Sequence, residues 1–229
     1  MGIPMYYVFG LPALILALYA QWRVTSTYNK YLRIPNSARM TGLQVAQYLM
    51  RATGLTLRIE GVGGQLTDHY DPRSKVLRLS SGVAQSGSVG AVAVVAHEIG
   101  HALQDAQAFA LLRLRSGLVP VVNFTSWLGP IIFLVGMLFQ SEPLAIVGVY
   151  FVAGAVVFAL LTLPVELDAS RRAMHLLEQS GILADEASLR GARKMLSAAA
   201  LTYVAALAQA ISTMLYYIFL LSGNRRRRS

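Results

Sequence analysis

Cysteine is absent from all 229 residues, which excludes disulfides and thiolate metal ligands together. Charge is scarce as well. Asp, Glu, Lys and Arg make up 14% of the chain against 55% hydrophobic residues, with a mean hydropathy of +0.51. Soluble domains carry about 25% charged residues, so this balance belongs to a membrane protein. Acids are the scarcer sign, 11 against 20 bases, giving a net charge of +9. No nucleic-acid motif accompanies that excess, and the bases lie scattered beside apolar segments. They fit an anionic lipid surface and no nucleic acid. Internal repeats are also missing.

What is present in quantity is long apolar runs. Ile3 to Trp22 carries no charge and suffices to span ~30 Å of hydrocarbon. Nothing basic precedes Arg23 and no small-residue cleavage site follows, so this reads as a retained anchor, with Tyr6, Tyr7, Tyr19 and Trp22 near its ends. Leu118 to Phe139 and Leu144 to Leu163 form a transmembrane hairpin around Gln140-Ser141-Glu142-Pro143. Ala198 to Leu221 is a fourth run, interrupted by Thr202, Gln209, Ser212 and Thr213 and followed by Arg225 to Arg228. The chain then divides into an anchor (1–22), a catalytic region (23–115), the hairpin (116–163), a ligand-bearing helix (164–196) and a C-terminal apolar helix with its basic tail (197–229).

The polar segment after Arg23 contains a helix over Thr41 to Thr53, with Thr41 as cap and Gly54 as stop. Leu55 to Glu60 alternates as a half-buried strand, Gly61-Val62-Gly63-Gly64 turns, and Leu66 to Tyr70 and Lys75 to Ser80 are two further strands. The expectation is a short β-meander, giving a mainly α integral membrane protein with a small zincin-like α+β catalytic region.

Directly after it stands His97-Glu98-Ile99-Gly100-His101. On a helix, positions four apart share a face one turn apart, so both imidazoles can meet one ion. Glu98 points to the side of that pair, where a carboxylate can act as a base without being a ligand. Two imidazoles with one oxygen ligand suit Zn²⁺. The flanks, Ala91 to Ala96 and Ala102-Leu103, are apolar almost all round, so the helix is buried. It begins near Ser86 or Ser88 and is expected to continue to about Arg115.

The third ligand comes from Glu166, Asp168 or His175. At about 100° per residue, Asp168 lies ~200° and His175 ~180° round the helix from Glu166, so only one can face the metal. Ala169, Ser170 and Ala173 share the face of Glu166, and small side chains let helices approach closely. Glu166 is therefore the choice, with Asp168 and His175 placed on a solvent or headgroup face beside Arg172. The alternative for Glu166 is an ion pair with Arg171 or Arg172. Gln104 and Asp105 could orient a ligand imidazole, and His69 reads as a loop residue.

The succession Thr67-Asp68-His69-Tyr70-Asp71-Pro72, Leu77-Arg78-Leu79-Ser80, Ala96 to Gln104, Pro164 to Ala173 and Ala200 to Ala206 resembles the YugP-like group of neutral zinc metallopeptidases over nearly the whole chain. The resemblance implies a membrane-embedded zinc metalloendopeptidase with one Zn²⁺ per chain, acting on membrane-associated or membrane-proximal proteins. Its metal ligands would be His97, His101 and Glu166, and Glu98 its general base. Glu166-x-x-Ala169 is also similar to the E-x-x-A-D ligand motif of the HtpX and CAAX-prenyl-protease peptidases. Here Ser170 stands where that motif has Asp, which removes the support the Asp gives. In H-E-x-x-H proteases an edge strand pairs with extended substrate, and Val76 to Ser80 is the candidate. A site-2-type intramembrane protease needs an Asp in a later membrane helix, usually followed by Gly, and no Asp-Gly pair occurs. A non-catalytic metal-binding scaffold would have no use for Glu98.

Sixteen of the 20 Lys and Arg lie between Arg23 and Lys194, and the hairpin loop has none. The positive-inside rule places the catalytic region in the cytoplasm. Four full spans would carry the basic tail outside, three would not, and the length of the last run favours four.

Overall fold

The computed structural model describes residues 5–226, and side chains for all of these except Tyr6 and 224–226. Ile3, the Tyr6 side chain as a belt residue and the side chains of the run Arg225 to Arg228 thus fall outside what is described. The chain forms two compact units. One comprises Met1–Gln21, Leu114–Leu163 and Thr202–Ser229, the other Trp22–Arg113 and Pro164–Leu201.

Four helices supply the first unit: α1 (Met5–Tyr31), α5 (Ala110–Leu138), α6 (Glu142–Ser180) and α7 (Glu186–Arg226). Each contains a stretch long and apolar enough to cross a membrane. Within the unit, outward positions carry large apolar side chains such as Trp127, Leu134, Leu138 and Tyr150, all more than 60% exposed. Water would penalise such a surface, and hydrocarbon would not. The hairpin of α5 and α6 packs through glycine. A Cβ on Gly148 would sit 2.5 Å from the Phe133 backbone N, so only hydrogen fits. Phe133 also stacks on Tyr217 of α7, centroids 4.2 Å apart. The Ser212 hydroxyl of α7 donates to the Phe9 carbonyl of α1, giving a polar side chain a partner inside an apolar bundle.

The second unit is organised on α4 (Val89–Ala106). Val89, Val92, Val95, Ala96 and Ile99 are wholly buried, as an all-apolar helix must be. Ser88 caps it, its Oγ accepting the Ala91 N–H at 3.1 Å. The helix stops at Ala106, short of the expected Arg115. Ala108 takes a left-handed φ of 57°, and the Phe109 N–H turns back to the Gln104 carbonyl at 2.8 Å. No Gly or Pro marks this break, so only the backbone reveals it. Helix α2 (Gly42–Thr53) matches its expected ends. Thr41 and Gln44 form a reciprocal capping box, and Gly54 closes the helix at φ 69°. Val45, Ala46 and Leu49 of α2 are buried in the same core as α4, with Leu77, Leu79, Leu177 and Leu183.

Three strands are present, β1 (Arg58–Val62), β2 (His69–Asp71) and β3 (Val76–Ser80), though β1 begins at Arg58 rather than Leu55 and takes in Gly61 and Val62 of the expected turn, and the three do not form a meander. Their order is β1-β3-β2, with β1 parallel and β2 antiparallel to β3. Two features account for it. Val76, Leu77 and Leu79 are buried on both faces of β3, which suits a central strand and not an edge. The Asp68 carboxylate also accepts the Ser80 N–H and hydroxyl, at 2.7 and 3.0 Å, which pins the start of β2 beside the end of β3. A one-turn helix, α3 (Ser81–Ala84), leads from β3 towards α4.

Candidate metal centre

Two helices of the second unit build the site. His97 and His101 lie one turn apart on α4, rings 4.8 Å apart and edge to face. Glu166 comes from α6 and is 2% exposed. Its Oε2 lies 3.2 Å from His97 Nε2 and 3.5 Å from His101 Nε2. One donor atom from each residue falls in a group no wider than 4.8 Å. Ligand bonds of 2.0–2.1 Å in tetrahedral array put donor atoms roughly 3.3 Å apart, so these spacings fit a zinc-sized ion. Charge supports the fit. Two buried carboxylates, Glu98 and Glu166, converge on two buried or half-buried imidazoles. The His101 imidazole is raised in pKa: burial opposes its charge, but Glu166 and Glu98 outweigh burial. A cation is thus favoured at this point.

Close helix approach makes the convergence possible. A Cβ at Gly100, inside the motif, would lie 2.5 Å from the Ala169 carbonyl oxygen. Ala169 and Ala173 are wholly buried on the α6 side, as the shared face with Glu166 implies. Glycine on one helix and alanine on the other bring the Glu166 carboxylate within reach of both rings.

Glu98 lies beside the pair, and the Tyr70 main-chain N–H of β2 donates to its Oε2 at 2.8 Å. Burial pushes the Glu98 carboxyl above the usual carboxylate range, against the lowering pull of His97 and His101. Tyr70 is itself held. Its hydroxyl donates to Asp105 Oδ2 at 2.7 Å, and Lys75 Nζ meets the same oxygen at 3.0 Å. Burial, and then the Asp105 bond, push the Tyr70 phenol well above its ordinary value.

The remaining candidates sort themselves around this group. Gln104 Oε1 lies 3.0 Å from His101 Nδ1, and Ser170 Oγ lies 3.3 Å from His97 Nδ1. Each ring thus has a polar neighbour behind it, and Ser170 provides one where the related motif has Asp. Asp105 does not touch an imidazole. His175 is exposed, as expected. Asp168 is not on a solvent face: it is 8% exposed and accepts a bond from Gln104 Nε2 at 2.9 Å. Both Arg171 and Arg172 pair with Asp168, so Glu166 is not their partner. His69 is exposed on β2, with Nδ1 2.8 Å from the Thr67 carbonyl, outside the group. Val76 to Ser80 is flanked on both sides by β1 and β2, so it offers no edge to substrate. Tyr70 was invisible to sequence reasoning because it reaches Glu98 through its backbone.

The fold and site together define a membrane-associated protein with a candidate mononuclear metal centre on two packed helices. The chain belongs to the family described as "Putative neutral zinc metallopeptidase", which matches residues 6–222. It is 40% identical over 216 residues to the "Putative membrane protease YugP" of Bacillus subtilis (strain 168), covering 94% of this chain and 96% of that one. No solved structure matches.

Proposed function

We propose that the protein is a membrane-bound zinc endopeptidase that hydrolyses peptide bonds of membrane-associated or membrane-proximal proteins. The observation carrying this is the convergence of His97, His101 and Glu166 within 4.8 Å, with the buried Glu98 beside them. His97 and His101 through Nε2 and Glu166 through Oε2 would hold one Zn²⁺. When bound, the ion polarises a carbonyl and acidifies water. Glu98 takes the proton of the attacking water at a carboxylate oxygen and passes it to the departing amine. Its raised pKa suits both halves of that task, because it accepts a proton more readily than an exposed carboxylate. The Tyr70 N–H holds one Glu98 oxygen and leaves the other for the proton. Because β3 is central, an extended substrate would pair with β2, the edge strand that carries Tyr70.

The experiment is a set of purified variants. Glu98→Gln keeps about one zinc per chain and loses hydrolysis by ~10²–10⁴-fold, the scale of a general base. His97→Ala and Glu166→Ala lose the metal as well, and His175→Ala keeps both metal and activity. A Glu98→Gln rate within about tenfold of the parent would remove the general-base role. Full zinc in Glu166→Ala would remove it from the ligand set.

The distribution of basic residues supports a cytoplasmic catalytic region, with Ser141 outside. Single cysteines are clean probes, since the chain has none of its own. In intact cells an impermeant reagent should label Ser141→Cys. Labelling of Ser229→Cys to the same extent means four spans, and protection there means three. Protection of Ser141→Cys contradicts the assignment.

A further inference from the structure

Gln104 is wholly buried at the seam between α4 and α6, a costly place for a long amide side chain. Every polar atom of that amide is used. Nε2 donates to the Val165 carbonyl at 2.8 Å and to Asp168 Oδ2 at 2.9 Å. Both hydrogens are thereby spent, so Oε1, 3.0 Å from His101 Nδ1, can only accept. The hydrogen between them belongs to Nδ1 of His101. In the neutral ring that leaves a lone pair on His101 Nε2, the nitrogen directed at Glu166. Val165 and Asp168 flank Glu166 in sequence on α6, so the same amide grips that helix on both sides of the third candidate ligand. Asp168 has its own cationic partners in Arg171 and Arg172 and does not depend on Gln104 for neutralisation. Arg172 reaches the residue that follows α4 as well, its Nη1 donating to Gln107 Oε1 at 2.6 Å.

We propose that Gln104 is a positioning residue whose amide sets the His101 tautomer and indexes α6 on α4 so that the three ligand atoms converge. The proposal deepens the zinc reading given above and rests on it for the metal's identity. The amide performs two separable tasks. Its oxygen selects the nitrogen that His101 presents, and its two hydrogens set the height of Glu166 along α4. Supporting groups behind ligand imidazoles are worth about 10–100-fold in metal affinity.

The test uses full-length protein in detergent, labelled with ¹⁵N at histidine, with ¹⁵N shifts read on the metal-free form at a pH high enough that His101 is neutral. Chelator competition then gives zinc affinity, and thermal unfolding is followed alongside. In the parent, His101 carries its proton on Nδ1. Gln104→Met fills the same space without a donor or an acceptor. It should lose that tautomer preference and bind zinc about 10–100-fold more weakly. Gln104→Glu keeps the acceptor for His101 but has no hydrogens for Val165 and Asp168. It should keep the tautomer and still lose affinity, which separates the two tasks and serves if the Met variant does not fold. Loss of thermal stability in Gln104→Met with tautomer and affinity unchanged would overturn the proposal, because Gln104 would then only tie helices together. A parent that binds no zinc defeats the zinc reading, while the tautomer comparison still decides whether Gln104 governs His101.

Discussion

The two units solve opposite problems with the same device. Among the described side chains of the first unit, Arg115 and Glu142 are the only charged residues, whereas ten of the eleven acids of the chain lie in the second. In the first unit, glycine against backbone serves packing alone: Gly148 admits Phe133 so that α5 and α6 can lie close without a hydrophobic driving force between them. In the second, Gly100 admits the Ala169 carbonyl, and the result is a carboxylate between two imidazoles. Close helix contact is therefore structural in one place and chemical in the other. The difference lies in what the neighbouring positions carry. Around Gly148 they are apolar, and around Gly100 they are His97, Glu98, His101 and Gln104.

That contrast can be broken by adding side chains. Gly100→Val should force α6 away from the motif by more than the site tolerates, at a cost of about 1–3 kcal/mol or more. Zinc binding and hydrolysis should both disappear. Gly148→Val imposes a comparable clash on the hairpin and should lower the yield and thermal stability of the purified protein. Zinc stoichiometry of whatever folds should stay near one. Metal content by mass spectrometry, beside an unfolding scan, reads both. Equal loss of zinc in the two variants would mean that the hairpin and the metal centre are not separate in the way their composition implies.

The legibility of the two regions differs for a related reason. Apolar runs announce themselves, and all four are recovered as helices long enough to span. The histidines were legible because their spacing is local to one helix, and Glu166 because a helical wheel separates it from Asp168 and His175. The same wheel misplaced Asp168. It showed that Asp168 cannot share the face of Glu166, but α6 is buried on more than one side, and Gln104 reaches across to it. Strand order was also missed, though a signal existed: Val76, Leu77 and Leu79 make β3 more continuously apolar than β1 or β2, as a central strand is. The end of α4 left no such trace, because a left-handed alanine has no sequence signature.

Acid offers the finest separation of the two regions, because almost every group it can titrate lies in the second unit. Asp71, at the end of β2, illustrates the scale. The Ser74 hydroxyl donates to its Oδ2 at 2.7 Å, the Arg73 N–H to Oδ1 at 3.0 Å, and Arg78 Nη1 meets Oδ2 at 3.2 Å. The Ser74 bond first, with the Arg73 and Arg78 bonds, outweighs partial burial and holds the carboxyl down at about 2. The folded pKa lies below the unfolded value of about 3.9, so the stabilisation is complete above that value. It is lost as pH falls from about 4 towards 2, and amounts to at most roughly 2.6 kcal/mol, reduced by solvent screening of this part-exposed group. Asp71→Asn keeps an acceptor for Arg73 and abolishes the titration. The unfolding midpoint of the second unit, followed in detergent from pH 6 to pH 2.5, should therefore fall less steeply in the variant than in the parent below about pH 4. Helical signal from the apolar helices should barely move over the same range, since Glu142 is the single acid there among the described residues. Identical slopes for parent and variant would show that the Ser74 and Arg78 contacts do not hold Asp71 in its charged form.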